Sequence, residues 1–266
     1  MIARAWRRFR TGVAFLSFGT LALSLGVFGV LWIRLRTRDE DERSLRVQRG
    51  VNQSFRIFMR ITTGLGLTRF EREGVAERLG GPGLLIVANH PTLIDAPAIL
   101  SCMPDGACIT KQANASNPTM SHVIRAAGYI PNVGGQAIVT ACVESLHRGR
   151  SLLLFPEGTR SPKGGLGEFQ RGAAHIALES GQDLLPVLVT CDPPALMRGQ
   201  KWYDVPERPF DLTLHVGEPI RVGPYRKALE SGESHPRVAR RLTAELREFF
   251  EKRLTGLASR PIGSAP

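Results

Sequence analysis

Leu84-Leu85-Ile86-Val87-Ala88-Asn89-His90-Pro91-Thr92-Leu93-Ile94-Asp95 is the stretch that decides the fold. Its first five residues are apolar without interruption, which suits a strand buried on both faces. Gly80-Gly81-Pro82-Gly83 breaks the chain just before it. Proline fits a first helical turn, where its missing N–H costs little, so a helix is expected from Pro91 to Leu100. Further strands are expected at 107–110, 128–130, 151–155, 184–190 and 211–217, and helices near 118–127, 136–148 and 170–180. A last helix over 236–257 places Val238, Leu242, Leu246, Phe249 and Leu254 on one stripe. Short apolar strands alternating with helices predict an α/β fold, a mostly parallel central sheet covered by helices.

The strand ends carry the chemistry. In such sheets, functional side chains gather where strands stop and loops begin. His90 stands at one end, and Asp95, five residues on, is placed to accept a bond from its Nδ1–H, leaving Nε2 free to take a proton. A second apolar run, Ser151-Leu152-Leu153-Leu154, leads into Phe155-Pro156-Glu157-Gly158-Thr159-Arg160. Gly158 permits a sharp turn. Arg160 offers a fork for phosphate, and Glu157 either accepts a substrate hydroxyl or holds Arg160. No Gly-x-Ser-x-Gly elbow or activated cysteine supplies a nucleophile, so His90 is expected to act directly on a substrate hydroxyl.

The chain has 266 residues and a formal net charge of +11. That charge suits nucleic acid or an anionic membrane, and its distribution points to the membrane. Arg4, Arg7, Arg8 and Arg10 precede an uncharged stretch, Gly12 to Ile33, and Arg34, Arg36 and Arg38 follow it. The stretch is long enough for a bilayer core, which needs about twenty residues. It either spans the bilayer or bends near Gly26 and Gly29 to stay in one leaflet. No nucleic-acid-binding motif is visible, so nucleic acid is excluded as a partner. Residues 43–63 form a second, basic amphipathic helix with Val47, Val51, Phe55 and Phe58 on one face, expected to lie in the membrane interface. The expected organisation is therefore membrane-associated helices over 1–66, a catalytic domain over 67–258 and a flexible tail over 259–266. Cys102, Cys108, Cys142 and Cys191 form no CxxC pair or metal-ligand cluster. They read as reduced thiols, with no metal and with the catalytic domain on the cytoplasmic side of the inner membrane. His147 and His175 fall in helices and carry no assigned chemistry, while His122, near Lys111 in sequence, is a possible pocket residue.

Over roughly residues 75–225 the chain resembles the lysophospholipid acyltransferase family, best known for its 1-acylglycerol-3-phosphate acyltransferases. His90 and Asp95 match the family's His-x4-Asp catalytic motif. Glu157, Gly158, Thr159 and Arg160 match its acceptor-binding motif, and Lys111 falls where members often carry a basic residue. Arg171-Gly172-Ala173 and Leu185-Pro186-Val187 resemble two weaker blocks. The resemblance implies that His90 deprotonates a glycerol hydroxyl, which attacks an acyl thioester of coenzyme A or acyl carrier protein. It implies membrane lipid as acceptor, an N-terminal helical membrane motif, and no cofactor or metal. The favoured acceptor is 1-acylglycerol-3-phosphate, giving phosphatidate. One departure opens an alternative: where the family carries Gly-x-Ile-x-x-x-Arg, this chain has Gly128-Tyr129-Ile130-Pro131-Asn132-Val133-Gly134, without the arginine. A non-phosphate or specialised lipid acceptor fits that loss.

Overall fold

The computed structural model describes residues 2–258; the tail expected over 259–266 lies outside them. Seven strands form one sheet: β1 (Thr68–Glu71), β2 (Leu85–Ala88), β3 (Gly106–Lys111), β4 (Ile130–Asn132), β5 (Ser151–Leu154), β6 (Leu184–Asp192) and β7 (Phe210–Val216). Their order is β1-β7-β6-β2-β5-β3-β4. Only the β6–β7 pair is antiparallel, so the sheet is mostly parallel and helix-covered, as expected.

Alternation along the central strands divides the core. Leu85 and Val87 face one side, with Leu152 and Leu154, while Ile86, Ala88 and Leu153 face the other. Both sides are dry, which is why β2 and β5 read as unbroken apolar runs. The first side is covered by α8 (Gly135–His147), α9 (Gly172–Ser180), α10 (Gly223–Glu230) and α11 (His235–Ala258). The second is covered by α1 (Ile2–Ser24), α3 (Glu40–Gly64), α4 (Val75–Leu79) and α5 (Asp95–Leu100). The short α6 (Gln112–Ala115) and α7 (Pro118–Ala126) join β3 to β4, and α7 packs against α1 and α3. Thus β2 continues into a helix on one face and β5 into a helix on the other. Adjacent strands whose connections leave in opposite directions open a crevice at their carboxyl ends. The His90 and Glu157 segments both start there.

Three expectations change. The chain from Pro91 to Ile94 is a loop, and the helix begins only at Asp95. The peptide N–H of Thr92 is spent on the Asp95 carboxylate, which fixes a turn instead. β1 was not foreseen: it is four residues long, half charged, and exists by pairing with β7. The third concerns α3. Its apolar face does not lie in a membrane interface but packs on the domain, burying Val47, Val51, Phe58 and Met59. Two buried amides on that face cap helix ends: Gln48 Nε2 donates to the Ala127 carbonyl after α7, and Asn52 Nδ2 to the Leu100 carbonyl ending α5.

The apolar N-terminal segment is helical throughout: α1, a π-helical turn over Leu25–Gly29, and α2 (Val30–Arg36). A π turn inserts one extra residue into the helix. Here it seats Leu25 against Gly50 of α3, where an added Cβ would meet Leu25 Cδ1 at 2.8 Å. One side of α1 packs on α3 through Phe18, Phe55 and Phe58. The other exposes Leu16, Leu23, Val27, Phe28, Leu31, Trp32 and Leu35. The helical stretch Ala3–Arg36 is long and apolar enough to cross a membrane, and it is an element for membrane association.

Candidate active site

His90 leaves β2 held from both ends of its own peptide. Its N–H donates to Glu157 Oε1 at 3.1 Å, and its carbonyl accepts from the Ser161 N–H at 2.7 Å. Asn89, just before it, is buried and behaves like a strand residue: Nδ2 donates to the Val189 carbonyl and Oδ1 accepts the Val189 N–H. The imidazole lies on the Phe155 ring, centroids 4.2 Å apart and planes 22° from parallel. Its Nδ1 is 2.8 Å from Asp95 Oδ2. Among the described residues no hydrogen bond engages Nε2, and the side chain is 19% exposed toward the crevice.

Asp95 is wholly buried at the first position of α5. Oδ2 accepts the Thr92 N–H at 2.7 Å as well as the imidazole, and Oδ1 accepts the Thr92 hydroxyl. Burial pushes the carboxyl above its ordinary range, while the bonds from His90 and Thr92 pull it back. Thr92 is thus part of the site though the sequence reading passed over it. No spacing rule marks a threonine that bonds three residues ahead within an irregular loop.

Glu157 does not hold Arg160, the second of the roles expected of it. It is buried, and its carboxylate accepts three bonds from the protein: from His90 N–H and Ser161 Oγ on Oε1, and from Gly167 N–H at 2.7 Å on Oε2. It is the knot joining the two loops, and it makes no bond with Arg160. Gly158 turns the chain in the left-handed region, with φ +67°. Thr159 is half-buried beside it.

Arg160 binds a third segment. Its Nη1 donates to the carbonyls of Leu196 at 3.0 Å and Met197 at 3.1 Å. The same Leu196 carbonyl accepts the Leu93 N–H, and Met197 bridges Thr92. The 193–200 loop therefore closes on both motif loops at once. Among the described residues, Arg160 Nε and Nη2 make no protein bond, so only part of the fork remains for an anion.

Lys111 ends β3 on the same sheet edge, two strands from β2, exposed and in register with Asn132. At about 4.8 Å per strand it lies on the rim rather than against the dyad. His122 is exposed on α7. Burial pushes the thiols of Cys108, Cys142 and Cys191 up to about 12, away from the reactive thiolate form. An apolar cleft opens between α1, α3 and residues 195–206, with Ile94 and Leu196 in its wall.

The model of the acyltransferase family matches residues 67–190, from β1 into β6, and so contains both motif loops. That match covers just under half of the chain, which is also similar to proteins named as 1-acyl-sn-glycerol-3-phosphate acyltransferases. A chloroplast 1-acyl-sn-glycerol-3-phosphate acyltransferase of Arabidopsis thaliana is 31% identical over 106 residues, 38% of this chain and 30% of that protein. Its counterpart in Limnanthes alba is 30% identical over 143 residues, 51% and 50% of the two chains. The chain thus spans only about a third to half the length of these relatives. A lyso-ornithine lipid O-acyltransferase of Pseudomonas aeruginosa is 32% identical over 146 residues, 52% of this chain and 54% of that one. The fold is that of the crystal structure of the 1-acyl-sn-glycerophosphate acyltransferase of Thermotoga maritima: TM-score 0.68, 24% identity, 96% of this chain and 99% of that one.

Proposed function

We propose that this chain transfers an acyl group from a thioester of coenzyme A or acyl carrier protein to a lysophospholipid hydroxyl, with 1-acylglycerol-3-phosphate as acceptor and phosphatidate as product. The observation that carries this is the His90–Asp95 pair, with Nδ1 bonded to a buried carboxylate and Nε2 turned to the crevice. In the proposed step Nε2 takes the hydroxyl proton as the oxygen attacks the thioester carbon. The carbon–sulfur bond then breaks, and the proton passes from His90 to the leaving thiolate. A positioned general base of this kind contributes about 10²–10⁴-fold. The chemistry calls on no cofactor and no metal. The apolar cleft beside Ile94 and Leu196 is a slot for an acyl chain, and the exposed face of the N-terminal helix seats the protein in the inner membrane with residues 67–258 in the cytoplasm.

A second acceptor class is favoured by two observations: part of the Arg160 fork is engaged by backbone carbonyls, and Gly134 stands where the Gly-x-Ile-x-x-x-Arg block has its arginine. The Pseudomonas relative named for lyso-ornithine lipid is as similar as those named for the phosphate acceptor. The test is thiol release from acyl-CoA and acyl carrier protein by purified protein in mixed vesicles, with each acceptor in turn. Turnover of 1-acylglycerol-3-phosphate that disappears in His90→Ala supports the first reading; turnover confined to the phosphate-free acceptor replaces it with the second. Full activity in a folded His90→Ala variant overturns the role of His90.

A further inference from the structure

On the face of the sheet opposite α1 and α3, two helices bring three ligand-type side chains together. His175 and Glu179 lie four residues apart on α9, on one face by helical periodicity. His235 is the first residue of α11. One donor atom from each lies within 4.8 Å of the other two. The two imidazole rings are parallel, 7° apart in plane and 5.1 Å between centroids. From α8, Gln136 Nε2 donates to both Glu179 carboxylate oxygens, at 3.2 and 3.1 Å, and so orients the group.

We propose that His175, Glu179 and His235 form a binding site for a divalent transition ion of the zinc type, with water as fourth ligand. Two imidazole nitrogens and one carboxylate oxygen form a donor set suited to such an ion and unsuited to magnesium or calcium, which take oxygen ligands. Bonds of about 2.0–2.2 Å in tetrahedral geometry bring ligand atoms to about 3.4 Å from one another. The cluster therefore contracts by at most about 1.4 Å, which side-chain rotation supplies because all three groups are partly exposed. Gln136 is the outer partner that a metal-bound carboxylate needs. The ion would pin the start of α11 to the helix that follows the Glu157–Arg160 loop, so its effect is on stability rather than on the acyl-transfer step.

No local spacing marks this cluster, since His235 stands 56 positions beyond Glu179, a separation that the packing of α11 on α9 removes.

The test is a Co²⁺ titration of tag-free, chelator-stripped full-length protein, followed by visible absorption and by Zn²⁺-dependent thermal unfolding. The expected result is one equivalent bound with tetrahedral d–d bands, no thiolate charge-transfer band, and a higher Tm with Zn²⁺. His175→Ala and His235→Ala abolish the bands, and Gln136→Ala weakens binding by about tenfold. If either histidine variant fails to fold, Glu179→Gln, at an exposed position, replaces it and is expected to weaken binding likewise. Absence of stoichiometric bands, bands that persist in the variants, or a thiolate band assigning the ion to cysteine each overturn the proposal.

Discussion

Replacing Glu157 by Gln separates a structural knot from a substrate ligand. The carboxylate accepts three bonds, two on Oε1 and one on Oε2. An amide must put its NH₂ group on one side. Facing His90 N–H it would set two donors against each other and disturb Ser161 as well, so the less costly choice turns it toward Gly167 N–H. One charge-assisted bond is then lost, costing about 1.5–3 kcal/mol. The two that remain lose charge assistance, about 1 kcal/mol each, and the expected total is about 3–5 kcal/mol. For a chain of this size that is a fall in Tm of on the order of 10 °C. Because Glu157 sets the His90 peptide, kcat falls too, while the KM for the acceptor stays near its wild-type value. Gly167→Ala strikes the same knot from outside, since a Cβ there would stand 2.7 Å from Glu157 Oε2. It should show the same pattern more weakly. Thermal unfolding with steady-state kinetics decides: unchanged Tm with a raised acceptor KM and intact kcat would mean that Glu157 binds substrate.

Asp95→Asn should behave in the opposite sense. Its amide NH₂ can donate to the Thr92 hydroxyl while its oxygen keeps the other two bonds. Because burial raises the Asp95 carboxyl in the fold, wild type loses stability as pH rises through that raised value, and the variant does not. The variant should therefore match or exceed wild-type stability at neutral pH, lose that advantage below about pH 4, and show kcat reduced by about 10²–10⁴. Denaturant unfolding at several pH values checks the sign. Arg160→Ala should lower kcat/KM for every acceptor by releasing the 193–200 loop, and by about tenfold more for a phosphate-bearing acceptor; equal losses would make it a tether alone. Gly50→Val should wedge α1 from α3 at Leu25 and cost about 1–3 kcal/mol by thermal unfolding in vesicles, with the dyad intact.

The parts readable in the sequence were those with local causes. β2, β5 and β6 are apolar runs longer than a surface could tolerate, and α11 carries a clean stripe. His90 and Asp95 stand close enough in sequence for their pairing to be argued before any fold is known. What escaped has non-local causes. β1 exists only against β7, and the roles of Thr92, Ser161 and Gly167 depend on loops that approach across the β2–β5 crevice. The three protein bonds of Glu157 were not foreseen either, because burial is not written in a Glu-Gly-Thr-Arg turn. The apolar face of α3 shows the same ambiguity: Val47, Val51 and Phe58 fit a lipid surface and a protein core equally well, and the buried Gln48 and Asn52 among them, each with a carbonyl to cap, mark the core.

The bond from Asn52 to Leu100 also acts as a spacer. Helix α5 has Asp95 as its first residue and Leu100 as its last, and Asn52 on α3 grips that far end. Six residues of helix measure about 9 Å. The height of the His90 imidazole above the N-terminal helix pair is thus a fixed offset rather than the reach of a tether. Under the proposed acyl transfer, a lipid headgroup brought to His90 would have to arrive at that depth, so the selection of acceptors would begin with how far a hydroxyl stands from the apolar layer.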